Sequence, residues 1–117
     1  MPTPTARDYA DCIAGPWLAE RLAWEPARIE AMRRAGELIA VRRRGASEWL
    51  YPAWQLDRGT PRPGVARVVA AAREAGLDSD ALYDLLTRPL GLRGGTRLAD
   101  LLASGRVDEV VAAIRRA

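Results

Sequence analysis

Apolar residues recur along this chain with two different periods, and the change between them marks its organisation. Leu18 and Leu22 lie four apart, as do Val65 and Val69, and both pairs sit at helical spacing. Between these regions lie two runs that read as strands: Glu37 to Arg42, β-branched and apolar, and Glu48 to Leu56, which carries Trp49, Tyr51 and Trp54. Arg43 to Ser47, with Gly45 among them, joins the runs, so the pattern predicts a β-hairpin. Pro52 ends the second strand because it has no N–H to give to the ladder.

Upstream, residues 1 to 8 are rich in Pro and Thr and read as an arm. Asp8 to Ala14 is predicted as a short helix with Tyr9 and Ile13 on one face, broken by Gly15. Pro16 suits the first turn of a second helix, Trp17 to Ala23, and Pro26 the start of a third, Ala27 to Ala35. Ile29 and Met32 share one side of that helix, and Gly36 stops it.

Downstream, Asp57 to Gly64 is rich in turn residues and reads as a linker. Val65 to Ala75 follows as a helix with Val65, Val68, Val69 and Ala72 in one stripe, ended by Gly76. Asp78 or Ser79 caps a helix bearing Leu82, Leu85 and Leu86. Arg88 to Gly95 reads as a loop, and Thr96 as the cap of a helix over Arg97 to Ala103 that Gly105 stops. Val107 to Arg116 closes the chain with Val107, Val110, Val111 and Ile114 as its apolar face. The expected fold is mainly α: a helix-turn-helix with a short β-hairpin over 1–56, then a small helical bundle over 57–117.

Composition narrows the function more than the fold. With no histidine and one cysteine, Cys12, the chain has no His-based acid–base chemistry and cannot build a Cys/His zinc site alone. One cysteine also excludes an internal disulfide and fits a reducing cytosol. No run approaches the 18 apolar residues of a membrane span. The first residues lack the charged-then-apolar pattern of a signal peptide, so a cytoplasmic protein away from the membrane is expected. All 18 basic residues are Arg, which fits a GC-rich coding bias and also suits bidentate recognition of phosphate and guanine. The net charge of +3 permits binding to DNA without demanding it.

Helix, tight turn, helix and glycine stop, over Leu18 to Gly36, is helix-turn-helix spacing. With the hairpin following at once, it resembles the winged helix-turn-helix of MerR and excisionase-type proteins. That resemblance implies a recognition helix starting at Glu25 and Pro26, with Ala27, Arg28 and Ala31 toward base edges and Arg33 and Arg34 toward phosphates. Arg42, Arg43 and Arg44 would be the wing's phosphate contacts. Between Arg28 and Arg44 six Arg face two Glu, a local excess of four positive charges.

The last 65 or so residues carry a second resemblance. The order Tyr51-Pro-Ala-Trp-Gln55, Pro63-Gly64, a helix, Leu85-Leu-Thr-Arg-Pro89, Leu92 to Leu102 and Gly105 to Val110 is similar to the Xre/MbcA/ParS toxin-binding domain of bacterial antitoxins. Leu90 stands where that family has Asn after the Pro, and Arg97 where it has Pro after the Thr. The resemblance implies a co-encoded toxin partner, in relatives often a RES-domain enzyme that consumes NAD, blocked by this module. The contacts it implies are Arg93, Thr96, Arg97, Arg106, Arg115 and Arg116.

Catalysis by the chain itself is not expected. Asp78 and Asp80 read as helix caps, Arg93 to Thr96 lacks the spacing and Lys of a P-loop, and Cys12 has no His to activate it. No cofactor and no metal are expected. The sequence thus points to an antitoxin that also represses its own promoter on double-stranded DNA. A stand-alone regulator whose C-terminal half only dimerises is the alternative, and a protein-interaction adaptor a third. A homodimer is expected because one recognition helix covers few base pairs.

Overall fold

The computed structural model describes residues 9–43, 45–90 and 95–117. The fold is mainly helical with a small antiparallel sheet, as the periodicity predicts. Strand β1 (Cys12–Ala14) leads directly into α1 (Gly15–Leu22) and α2 (Pro26–Arg34). Strands β2 (Val41–Arg42) and β3 (Trp49–Pro52) follow, then a single 3-10 turn over Ala53–Gln55. A second, two-stranded hairpin, β4 (Leu56–Asp57) and β5 (Thr60–Pro61), leads to α3 (Val65–Glu74), α4 (Ser79–Thr87), α5 (Leu98–Ala103) and α6 (Val107–Arg116).

The first departure from expectation is at the start. Of the helix expected over Asp8 to Ala14, Asp8 lies outside the described residues and the rest is not helical: Cys12, Ile13 and Ala14 pair antiparallel with Pro52, Tyr51 and Leu50. Tyr9, with φ of 51°, already leaves helical space. Seven residues are too few to hold a helix unaided. The free edge of β3 offers backbone partners and a place for Ile13 against Tyr51, so tertiary pairing overrides local preference. Gly15 accordingly does not break a helix; it begins one. The sheet order is β1-β3-β2, with β3 in the centre.

The first half of the hairpin is shorter than predicted. Only Val41 and Arg42 pair with β3, opposite Leu50 and Trp49. Upstream, Ile39 finds another partner: Gln55, fully buried, accepts from its N–H and donates to its C=O, both at 2.7 Å. The side-chain amide stands in for a neighbouring strand and satisfies two buried backbone groups whose desolvation would otherwise cost about 1–3 kcal/mol each.

Three of the helices, α2, α3 and α5, end alike. At Gly36, Gly76 and Gly105 the chain turns through positive φ, and the residue after each donates back to the carbonyl five positions earlier: Glu37 to Met32, Leu77 to Ala72, Arg106 to Leu101. At α5 the start differs from expectation. Arg97, not Thr96, is the capping residue, because Asp100 reaches back to accept from the Arg97 N–H at 2.9 Å.

Apolar stripes meet as the periodicity requires. Val65, Val68, Val69 and Ala72 of α3 face Val110, Val111 and Ile114 of α6, with Leu82, Leu86, Leu98 and Leu102 filling in from α4 and α5. A Cβ on Gly64 would fall on the side chain of Val107, so that glycine is what lets α6 approach the start of α3. Leu18, Ala19, Ile29, Leu38, Ala40 and Tyr51 form a separate core under α1 and α2. The 56/57 boundary expected from composition is crossed by packing: Ile39 belongs to the C-terminal core, and Tyr83 of α4 packs with Tyr9, Val41 and Leu50.

Candidate nucleic-acid interface

Two helices and a hairpin build the candidate site. Burying Leu18 and Ile29 between α1 and α2 stabilises by about 1.5–3 kcal/mol each and fixes one helix on the other. The turn between them is short because Ala23 takes a left-handed conformation (φ 56°, ψ 40°) and Trp24 donates to the Ala19 carbonyl at 2.9 Å. With Ile29 inside, the outward row of α2 is Ala27, Glu30, Ala31 and Arg34, with Arg28 beside it, all exposed.

Each arginine of this region has a distinct setting. Arg28 lies over the indole of Trp24, its guanidinium 4.1 Å from the ring centroid. Arg34 pairs with Glu30 at 2.6 Å, and Arg33 reaches the same carboxylate oxygen at 3.5 Å. Arg33 differs from the expected phosphate contact. Its side chain is only 16% exposed and lies over Trp49 of β3, 4.3 Å from the centroid. Arg42, directly across the ladder from Trp49, stacks on the same indole at 4.4 Å. One tryptophan therefore ties α2 to the β2–β3 hairpin through two guanidiniums, and Arg33 works as a strut. Arg43 is exposed and lies 5.3 Å over the Tyr9 ring. Arg44 lies outside the described residues.

Among the described residues Arg28 and Arg42 have no carboxylate within ion-pair distance, so their charge is not already neutralised. Together with Arg34 and Arg43 they are the exposed arginines of α2 and the hairpin among the described residues. Sequence reasoning missed Trp24, Trp49 and Glu30. The four-residue spacing of Trp24 and Arg28 was a readable signal; the Arg42–Trp49 pair depended on register and was not.

Residues assigned to a toxin contact do not converge. Arg93 lies outside the described residues. Thr96 is half-buried, its carbonyl accepting from the Leu90 N–H at 2.7 Å. Arg97 is held by Asp100 at 3.1 Å and Arg106 by Glu109. Arg115 and Arg116 stand exposed at the far end of α6. A ten-residue helix places its ends about 14 Å apart, so Arg106 and the terminal pair form no single patch.

A part-buried polar node joins β1, the 3-10 turn and α4. Asp11 accepts from the Tyr83 hydroxyl, from Trp54 Nε1 at 2.8 Å and from the Cys12 thiol at 3.6 Å. Burial pushes the Asp11 carboxyl up, but these hydrogen bonds outweigh it and hold it below its ordinary 3.8. Burial, then the Asp11 charge, pushes the Cys12 thiol up to about 12, and burial with the Asp11 contact raises Tyr83. Such a thiol is protonated at neutral pH, which suits packing and not nucleophilic attack. Among the described residues, no three His, Cys, Asp or Glu side chains gather as metal ligands, and no helix is long and apolar enough to cross a membrane.

No protein-family model matches the chain, and no curated protein matches it. Its fold is similar to that of Rv2175c, whose structure was solved by NMR: the TM-score is 0.79 at 19% identity, over 97% of this chain and 85% of that one. At that identity the likeness is one of fold.

Proposed function

We propose that this protein binds double-stranded DNA through α2 and the β2–β3 hairpin and acts as a transcriptional regulator of its own promoter. The observation that carries the reading is the joining of α2 to the hairpin through Trp49, on which Arg33 and Arg42 both stack, with Arg28 and Arg34 exposed on α2 and Arg42 and Arg43 exposed on the hairpin. Small residues let a helix lie close to base edges, while flanking guanidiniums reach phosphates and guanine. The Trp49 stack supports it, since a wing locked to its helix loses little freedom on binding. A dimer that presents two such helices to half-sites one helical turn apart completes the reading.

Affinity for its own upstream DNA, titrated with salt, tests this. Arg42→Ala and Arg43→Ala are expected to weaken binding alike on all sequences, each lowering the salt slope by about 1. Arg28→Ala is expected to relax base preference as well, by about 1–3 kcal/mol at one position. Unchanged affinity in all three variants would remove the reading.

Neutralisation of a co-encoded toxin is a narrower form of this function, supported by the order of motifs in the C-terminal half. Trp17 is the one large hydrophobic exposed among the described residues, and it sits on α1, so the bundle offers charge and not an apolar face to such a partner. Co-expression with the neighbouring gene products is the test. A stable complex that abolishes a neighbour's toxicity is the expected result; a chain that purifies alone beside harmless neighbours leaves regulation only.

A further inference from the structure

Glu30 is an oddity on a surface meant for phosphates. It sits in the outward row of α2 between Ala27 and Ala31, 53% exposed, where a carboxylate would be repelled by any nucleic acid. The chain holds this charge there with two cations. Arg34 reaches its Oε1 at 2.6 Å and Arg33 at 3.5 Å, and Arg33 is itself fixed over Trp49. The carboxylate is therefore positioned and largely neutralised before DNA arrives, which lowers the cost of bringing it into the groove.

An ionised carboxylate only accepts hydrogen bonds. Major-groove edges consist mostly of acceptors; the donors are the exocyclic amines of cytosine and adenine, and a carboxylate pairs with cytosine N4. The neighbouring alanines leave room for this approach. Arg28, held over Trp24 on the adjacent face, is free to donate to a guanine.

Resting on the DNA-binding reading above, we propose that Glu30 is a specificity-determining residue that accepts from the N4 amine of cytosine. The half-site then carries an obligatory C·G pair opposite the middle of α2. Arg34 positions the carboxylate and neutralises it, and takes a phosphate or guanine in the complex.

The test is selection from randomised duplex DNA with the wild-type chain, Glu30→Gln and Glu30→Ala, with affinity on the selected site measured across salt concentrations. The wild type is expected to select one fixed C. Glu30→Ala is expected to lose that preference, about 5- to 150-fold in discrimination, while keeping the salt slope. Glu30→Gln is expected to move the preference to A, because an amide both donates and accepts. Glu30 is exposed and its ion pairs run to Arg33 and Arg34 of its own helix, so both variants are expected to keep the fold, which circular dichroism checks. A Glu30 that only repels DNA would, when removed, raise affinity for every sequence and leave base preference unchanged. That outcome overturns the proposal and leaves DNA binding standing. Absence of salt-dependent binding by the wild type overturns both.

Discussion

At the scale of single residues, part-buried polar groups do the joining. Asp11 draws one hydrogen bond from the 3-10 turn and one from α4, and so links the sheet to the C-terminal helices. Its folded carboxyl lies below the unfolded value, so its contribution is fully present above that value and is lost as pH falls through the folded one. Asp11→Asn keeps the shape but loses the charge-assisted bonds, and is expected to cost about 1–2 kcal/mol at pH 7. Thermal unfolding of both proteins at several pH values checks this: the gap should close as pH drops below 3.8. A gap that persists in acid would mean that packing, not charge, holds the node. None of this was legible in the sequence, because Asp11, Trp54 and Tyr83 become neighbours only after the chain closes.

At the scale of elements, the helices from α1 onward and the β2–β3 hairpin were readable, whereas β1 and the β4–β5 hairpin were not. Pro16 and Pro26 at helix starts, Asp78 as a cap accepting from Ala81 N, and glycines after helix ends are local signals, and the structure places them as read. Strand β1 has no such signal; three residues acquire their conformation from β3. The same limit made Glu37 to Arg42 look like one strand, when Ile39 pairs with a glutamine side chain. No glycine stands where α1 closes: Ala23 takes the left-handed region there, inside the turn between α1 and α2. A Cβ there costs about 1–2 kcal/mol, part of which glycine returns as unfolded-chain entropy. Ala23→Gly is therefore expected to raise Tm by about 2–5 °C, measured calorimetrically, with the salt slope of DNA binding unchanged. A fall in Tm would show that the turn depends on the alanine's contacts.

At the scale of the molecule, composition suggested two modules, and packing interleaves them. Ile39 and Trp54 reach the bundle core, Tyr83 reaches back to the sheet, and Arg62 donates to the Trp54 carbonyl at 2.8 Å and to the Ala103 carbonyl of α5 at 3.3 Å. The β2–β3 hairpin is thereby anchored on both sides. It is held to α2 by Trp49 and to the bundle by Tyr83, and the proposed interface rides on the whole fold. Charge, read along the chain, located this face but not its interior divisions, since Arg33 and Arg28 look identical in sequence and differ only in which tryptophan they meet.

The central claim is that α2 and the wing bind DNA, and salt-titrated binding to the chain's own upstream DNA tests it most directly. Affinity is expected to fall steeply and linearly in log–log form as salt rises, with a slope reduced by about 1 for each of Arg42→Ala and Arg43→Ala. Binding that is absent, or indifferent to salt and to both substitutions, would contradict it.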